Sequence, residues 1–159
     1  MSEALQPKIR RAGPPDADAV RRLVREAYAQ WVPLIGREPM PMQADYDKAV
    51  RDHEIDLVHA GGELVALIEM IVLPDQLYIE NIAVSPRRQR KGLGRFLLSH
   101  AERKARDAGL PKLGLLTNQA FASNVRLYQS VGYRIDRTEL FSNGSTAVYM
   151  SKRLADGRS

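Results

Sequence analysis

Apolar positions recur along the chain with two different periods, and each change of period marks a new element. A short apolar strand is predicted near Ile9, and residues 14–16 (Pro-Pro-Asp) open a run with helical spacing that predicts a first helix. We expect this helix to end within 31–33. The proline-rich stretch 34–46 predicts a loop or a broken helix, and a second helix follows through 49–51.

The second part of the chain predicts strands that alternate with helices. Residues 76–84 are apolar almost throughout, which is typical of a central strand with both faces covered. The other predicted elements are two strands around the Gly61-Gly62 turn, a helix over 95–108, a strand over 112–118, a helix over 123–131 and two strands around the Asn143-Gly144 turn.

This order of elements predicts an α/β fold, with a mixed central sheet of about six to seven strands flanked by about four helices. The chain has 159 residues, of which 44% are hydrophobic, which is enough for a proper core. No internal repeat, low-complexity block or long linker interrupts the pattern. We therefore expect a single domain over 1–159.

Composition removes several kinds of chemistry. The absence of cysteine excludes disulfides, thiolate metal sites and covalent acyl-thiol intermediates. His53, His59 and His100 are spaced like neither a metal site nor a catalytic pair, so no metal is expected. The N-terminus has no apolar leader region, and no window approaches the roughly 18 apolar residues of a membrane span. These observations favour a cytoplasmic protein that does not contact a membrane.

The segment "SPRRQRKGLGR", residues 85–95, places five cationic side chains and two glycines directly after the apolar strand. A strand that runs through such a loop into a helix brings free backbone N–H groups and the positive helix end together, which suits an anion. Gly92 and Gly94 permit close approach, while Arg90 and Lys91 add positive charge. The dinucleotide and P-loop fingerprints are absent. A tight turn with solvated arginines remains the alternative.

Two blocks of the chain, within 78–133, resemble the GNAT superfamily of N-acetyltransferases. The first, "IENIAVSPRRQRKGLGRFLLSHAERKARDAG", is similar to that family's central strand, its Q/R-x-x-G-x-G/A pyrophosphate loop and the helix that follows. The second, "LLTNQAFASNVRLYQSVGY", is similar to the next strand and helix. The resemblance implies the acyl-CoA N-acyltransferase (GNAT) fold, acetyl-CoA as cosubstrate and direct transfer of the acetyl group to an amine.

The resemblance also implies the residues that bind the cosubstrate. The central strand of the family splays from its neighbour, and the freed backbone amides that would hold the pantetheine arm and the thioester are those of Ile82, Ala83 and Val84. The remaining implied cosubstrate contacts are Gln89, Arg90, Lys91, Gly92, Leu93, Gly94, Arg95, Asn124 and Tyr128.

Acetyl transfer from a thioester needs a donor for the carbonyl oxygen, an unprotonated amine and a proton for the leaving thiolate. Tyr128 is the candidate acid, and Asn124 lies four residues earlier on the same helix face. The alternative is that Tyr128 is a packing aromatic with its hydroxyl bonded elsewhere. Glu80 is the candidate base, although water could serve, and a buried glutamate could instead bond to a neighbouring backbone group. Tyr78 shares its strand face.

The acceptor is predicted to be a primary amine of an unidentified small molecule, peptide or protein. The loop between the first two helices carries apolar and aromatic side chains, and Tyr28, Trp31, Met40 and the strand residue Tyr78 are the candidate acceptor contacts. The loop residues could equally cap the sheet. A cationic amine would favour acidic walls, for which Glu38, Glu69 and Glu80 are the candidates.

Two other classes of protein remain open at this point. A basic nucleic-acid-binding protein would explain the formal net charge of +5, but no recognisable binding module or interleaved aromatic residue accompanies the basic run. We therefore expect no nucleic-acid partner. A non-catalytic acyl-CoA sensor would keep the loop and would not need Tyr128. A homodimer is possible if the last strand, 146–150, is an exposed edge.

Overall fold

The structure is a computed structural model that describes residues 7–155. Its strands are β1 (Lys8–Arg11), β2 (Glu54–Ala60), β3 (Glu63–Val72), β4 (Leu77–Val84), β5 (Lys112–Asn118), β6 (Arg134–Leu140) and β7 (Thr146–Arg153). Its α-helices are α1 (Ala17–Tyr28), the single-turn α2 (Val32–Ile35), α3 (Tyr46–Asp52), α4 (Leu93–Asp107) and α5 (Ala122–Ser130). The predicted order of elements is confirmed. Residues 1–6 and 156–159, the ends of the predicted domain, lie outside the described range.

The strands form a mixed sheet in the order β1-β2-β3-β4-β5-β7-β6. Leu77–Ile79 of β4 pair in parallel with Leu113–Leu115 of β5, whereas β1–β2, β2–β3, β5–β7 and β6–β7 pair antiparallel. This confirms the α/β class. The expectation that 146–150 is an exposed edge is wrong, because β7 lies between β5 and β6. The edge on this side of the sheet is β6, whose residues are all exposed, and the opposite edge is β1.

The first helix forms where its apolar spacing predicts. Its buried positions are Ala17, Val20, Leu23, Val24, Ala27 and Tyr28. The Asp16 carboxylate, just before the helix, accepts hydrogen bonds from Arg10 at 2.8 Å and from the Gly13 N–H at 2.9 Å. These two bonds lower the pKa of Asp16 to about 2. The helix ends earlier than predicted, at Tyr28, and a 3-10 turn over Ala29–Trp31 leads into α2.

The chain forms two compact units. Within residues 7–155, the first comprises residues up to Met70 together with Asn81–Leu93, and the second comprises Ile71–Glu80 together with residues from Gly94 onwards. Each has its own fully buried side chains: Val20, Leu57, Leu67 and Ile68 in the first, and Leu97, Leu98, Leu113 and Met150 in the second. The strand β4 begins in the second unit and ends in the first.

The strand β4 has one covered face and one partly open face. Its buried residues are Leu77, Ile79, Asn81 and Ala83, while Tyr78, Ile82 and Val84 are half-buried and Glu80 is exposed. The expectation that both faces are covered is therefore wrong. Apolar residues occupy both faces of this strand, so the period of two that marks a half-open strand is hidden in the sequence.

No helix within residues 7–155 combines the length and the apolar composition needed to cross a bilayer.

Candidate active site

The loop between β4 and α4 has the backbone shape predicted for an anion site. After a 3-10 turn over Pro86–Arg88, Arg90 adopts a φ of +64° and Gly92 a φ of +87°. A left-handed conformation favours glycine because a Cβ atom crowds the backbone there. A Cβ built on Gly92 would meet no atom within 4 Å. The space beside the Gly92 α-carbon is thus open to a ligand.

The cations of this loop fall into two groups. Arg87 and Arg88 both form ion pairs with Glu63, at 2.6 and 3.2 Å. Arg90 and Lys91 are exposed and have no hydrogen-bonding or ionic partner within residues 7–155. The positive charge that a ligand could use is therefore concentrated on two neighbouring side chains, which is the arrangement of a local anion site rather than of an extended basic patch.

The first turn of α4 packs closely against α5. A Cβ built on Gly94 would lie 2.9 Å from Leu127 Cδ2, and the Arg95 guanidinium donates to the Ser130 hydroxyl at 3.0 Å. Gly94, unlike Gly92, has no left-handed φ. The sequence pattern predicts that both glycines allow a phosphate to approach closely. In the structure, Gly94 also allows Leu127 to pack against the first turn of α4.

Two backbone carbonyl oxygens near the end of β4 accept hydrogen bonds from side chains. The Tyr28 hydroxyl lies 3.2 Å from the Ile82 oxygen, and the Gln89 side-chain amide donates to the Val84 oxygen at 3.1 Å. The structure thus brings together Tyr28, predicted to contact the acceptor, and Ile82, predicted to contact the thioester. Ala83, which lies between Ile82 and Val84 in the strand, is buried, with 1% of its surface exposed.

A buried chain of hydrogen bonds continues from Tyr28, and the sequence did not predict it. The Tyr28 hydroxyl donates to Asn81 Oδ1 at 2.8 Å, and Asn81 Nδ2 donates to the Tyr46 hydroxyl at 3.3 Å and to Glu69 Oε1 at 3.4 Å. His53 Nδ1 lies 2.6 Å from Glu69 Oε2. Asn81 and Glu69 are only 4% and 3% exposed. The available signal was a polar residue inside an apolar strand, since a buried polar group needs partners.

Tyr128 lies on α5 with its hydroxyl unpartnered. The side chain is 8% exposed, and its ring centroid is 5.9 Å from that of Tyr133. No residue in 7–155 forms a hydrogen bond with the Tyr128 hydroxyl. The Tyr133 hydroxyl is fully enclosed without a partner, whereas the Tyr128 hydroxyl is not among such enclosed atoms. Tyr128 therefore has an unpartnered hydroxyl that the described residues do not fully enclose, and half-buried Asn124 lies one turn earlier.

Burial raises the pKa of Tyr128 to about 12. The cause is desolvation, because a phenolate loses its hydration in an apolar surrounding. The phenol consequently keeps its proton at neutral pH, as a general acid must before the reaction.

Tyr78 and Glu80 lie on the partly open face of β4, and Glu80 is exposed rather than buried. Burial first, and then the charges of Glu80 and Tyr149, raise the pKa of Tyr78. Tyr149 of β7 donates to Glu139 at 2.8 Å, and the Arg137 guanidinium lies 3.7 Å from its ring centroid. Sequence analysis missed Tyr149 because its place beside Tyr78 depends on the insertion of β7 next to β5.

The three residues predicted to line an acceptor pocket in the first unit differ in exposure. Tyr28 is 9% exposed and belongs to the buried chain described above, Trp31 is half-buried, and Met40 is 83% exposed. Leu34 in α2 is also exposed, at 57%. Exposed apolar side chains in this loop could contact an acceptor, whereas Tyr28 faces the protein interior.

No cluster of three or more His, Asp or Glu side chains in the described range is arranged to hold a metal ion. His53 is occupied with Glu69.

Comparison with known proteins decides the family. The model of the Acetyltransferase (GNAT) family matches residues 18–133, a range that includes parts of both units. The chain belongs to the GNAT family of acetyltransferases. The resemblance noted in its two sequence blocks is thereby confirmed.

Curated GNAT relatives match part of the chain. The [ribosomal protein bS18]-alanine N-acetyltransferase of Escherichia coli is 36% identical over 73 residues, which are 46% of this chain and 49% of that protein. The streptothricin acetyltransferase of Streptomyces lavendulae is 31% identical over 102 residues, 59% of this chain and 54% of that protein. The chain thus spans about half the length of the curated relatives it matches, and their names give different acceptors.

The GNAT fold is shown by solved structures. The PaiA N-acetyltransferase of Thermoplasma acidophilum, in complex with coenzyme A, superposes with a TM-score of 0.80 and 16% identity, over 94% of this chain and 100% of that one. The predicted fold is therefore confirmed.

Proposed function

We propose that this protein is an N-acetyltransferase that transfers the acetyl group of acetyl-CoA directly to a primary amine. The observation that carries the proposal is the loop before α4, in a chain that belongs to the GNAT family. There an open left-handed glycine, Gly92, adjoins two unpartnered cations, Arg90 and Lys91. A neighbour of the same fold contains coenzyme A.

The residues of the loop fit a pyrophosphate. Gly92 leaves room for close approach, Arg90 and Lys91 supply positive charge, and the loop leads into the 15-residue helix α4. The first N–H groups of a helix have no intrahelical acceptor and attract anions. The proposed cosubstrate contacts are Gln89, Arg90, Lys91, Gly92, Leu93, Gly94, Arg95 and Asn124.

The C-terminal half of β4 would hold the reactive end of the cosubstrate. Acetyl-CoA supplies an acetyl thioester, whose carbonyl oxygen gains negative charge as the amine attacks. The segment Ile82, Ala83 and Val84 is the proposed binding site for the thioester and the pantetheine arm, with the backbone N–H groups of Ile82 and Val84 as the donors. Fixed donors of this kind stabilise such charge without reorganisation.

Tyr128 is the proposed general acid. The C–N bond to the acceptor forms while the C–S bond breaks, and the Tyr128 phenol gives its proton to the departing sulfur. The acceptor amine loses its proton to Glu80, directly or through water. The unpartnered hydroxyl supports the assignment of Tyr128, and burial, which raises its pKa to about 12, keeps the phenol protonated at neutral pH.

The acceptor is proposed to be a small molecule or a peptide or protein amine. Trp31 and Met40 in the first unit, and Tyr78 beside Glu80 in the second, are the proposed contacts, since they offer aromatic or exposed apolar surface. Relatives named for a ribosomal-protein alanine and for streptothricin define a useful panel of acceptors. The single domain, the cytoplasmic location and the homodimer stay predictions.

The test measures coenzyme A binding and turnover together. Calorimetry should show binding of acetyl-CoA to the wild-type protein, and thiol release should accompany acetylation of at least one amine in a panel that includes alanine-initiated peptides and streptothricin. Gly92→Val should weaken binding by about tenfold, because a left-handed non-glycine residue costs roughly 1–2 kcal/mol.

Gly144→Val is the matched control, since Gly144 has a φ of +89° and equally open surroundings in the β6–β7 turn. It should leave coenzyme A affinity unchanged. A wild-type protein that binds acetyl-CoA but acetylates no amine would favour the non-catalytic sensor, and one that does not bind acetyl-CoA would contradict the whole proposal.

A further inference from the structure

The direction of the backbone groups in β4 follows from one hydrogen bond. The N–H of Ser85, the residue after β4, donates to the Val65 oxygen of β3 at 2.8 Å. Backbone groups of successive residues in a strand point to opposite edges, so residues two apart point the same way. The N–H and C=O groups of Ile82 and Val84 therefore point to the edge of β4 that faces away from β3.

That edge carries acceptors as well as donors. A carbonyl oxygen exposed beside the N–H groups would repel a ligand carbonyl, because both oxygens carry partial negative charge. Yet the oxygens of Ile82 and Val84 both have side-chain donors, Tyr28 at 3.2 Å and Gln89 at 3.1 Å. The acceptors of this edge are thus already engaged within the first unit.

The hydrogen bonds of Asn81 define the orientation of its amide. The nitrogen donates to the Tyr46 hydroxyl and to Glu69 Oε1, and the oxygen accepts from Tyr28. The Tyr28 hydroxyl, which has one proton, then cannot receive a hydrogen bond from Asn81. It shares that proton between Asn81 Oδ1 at 2.8 Å and the Ile82 oxygen at 3.2 Å.

We propose that Tyr28 is a positioning residue for acetyl transfer: held by Asn81, its hydroxyl engages the Ile82 carbonyl so that this strand edge offers the thioester oxygen N–H donors alone. Tyr28 acts through the backbone of Ile82 and does not contact the substrate. The inference rests on the proposed function and deepens it. It explains why a buried chain of hydrogen bonds runs from Tyr28 to Glu69, although a phenylalanine at position 28 would fill the same space.

The test is Tyr28→Phe, followed by the carbonyl band of bound acetyl-CoA. Isotope-edited infrared spectroscopy with a ¹³C-labelled acetyl carbonyl should show a band shifted to lower wavenumber in the wild-type complex, and this shift should shrink in Tyr28→Phe. Turnover of the best amine should fall by about tenfold with a smaller change in the KM for acetyl-CoA. That loss is below the roughly 10²- to 10³-fold loss on deleting an oxyanion donor itself.

Tyr46→Phe is the matched control, because Tyr46 is a buried tyrosine bonded to the same Asn81. Its single proton goes to the Pro41 oxygen, at 2.6 Å, and so not to a carbonyl of β4. This variant should lose stability as Tyr28→Phe does and should keep the wild-type carbonyl band.

The outcomes separate the two proposals. An unchanged band and unchanged turnover in Tyr28→Phe, or an equal change of band in both variants, overturns the positioning role and leaves the proposed function intact. A wild-type protein that binds no acetyl-CoA overturns the proposed function, and this inference with it.

Discussion

Two tyrosines of similar burial have opposite hydrogen-bonding states. Tyr28, in the first unit, is 9% exposed and its hydroxyl serves two acceptors, Asn81 and Ile82. Tyr128, in the second unit, is 8% exposed and its hydroxyl has no partner within residues 7–155. Because buried polar groups are almost always partnered, a partnered phenol indicates a role in holding structure, and an unpartnered, reachable one indicates a role toward a ligand. The contrast is informative because burial alone would rank the two residues as equals.

The strongest test of this contrast is Tyr128→Phe. We expect kcat to fall by about 10²- to 10⁴-fold, the usual contribution of a general acid, with acetyl-CoA affinity nearly unchanged. Steady-state kinetics with the best amine of the panel measures the loss. Tyr133→Phe is the control, since it removes the enclosed hydroxyl of the neighbouring ring and should leave kcat unchanged. A wild-type rate in Tyr128→Phe would mean that Tyr128 serves only in packing and is not the general acid.

The same contrast applies to the cations of the loop. Replacing unpartnered Arg90 and Lys91 together by serine should weaken coenzyme A binding by about tenfold or more, because hydrogen bonds to charged groups contribute roughly 1.5–3 kcal/mol. Arg87→Ser removes a cation already paired with Glu63 and should change the affinity little. Calorimetry at two salt concentrations measures both. Equal losses in the two variants would mean that the loop acts only through its overall charge.

The free energy of unfolding should depend more on the Tyr28 hydroxyl than on the Tyr128 hydroxyl. Tyr28→Phe leaves the buried Asn81 and Ile82 oxygens without their donor and should lower the free energy of unfolding by about 1–3 kcal/mol. Tyr128→Phe breaks no hydrogen bond within the described chain and should change it by less than about 0.5 kcal/mol. Urea denaturation of both variants gives the values. A larger loss for Tyr128→Phe would show a partner that contradicts the contrast.

A further expected effect is on alkaline stability. The folded-state pKa of Tyr128, about 12, lies above its ordinary value of 10.0, so the folded protein binds this proton more tightly than the unfolded chain does. The stability linked to this group is present below pH 10 and is lost as the pH rises toward 12. Tyr128→Phe should therefore lose less stability than the wild type over that interval, as thermal melts in matched buffers would show. Parallel losses would contradict the raised pKa.

The sequence predicted the elements well because most of them depend on local periodicity. The helix α1 and the turn at Gly61-Gly62 show this, since spacing and turn residues suffice to place them. The open face of β4 was not predictable, because its apolar residues lie on both faces. The chain of hydrogen bonds through Glu69 and Asn81 was also missed, since its members meet only after two strands, β3 and β4, and two helices, α1 and α3, have packed.

In the candidate site, too, some properties were predictable from the sequence and others were not. The backbone freedom of Gly92 is a local property, and the sequence predicted it correctly. The contact between Gly94 and Leu127, and the charge of Tyr149 near Tyr78, depend on tertiary packing and strand order. Residues whose role comes from the backbone of their own segment were therefore predictable, and those whose role comes from a distant partner were not.

The division of the chain into units has a consequence for recombining it with relatives. Each unit is assembled from two separate stretches, with Asn81–Leu93 belonging to the first and Ile71–Glu80 to the second. A single crossover point cannot exchange either unit intact. A chimera that imports the buried tyrosine chain from this protein must transplant the stretch up to Met70 together with Asn81–Leu93, because Tyr28 and the carbonyl it holds are encoded on opposite sides of the intervening segment.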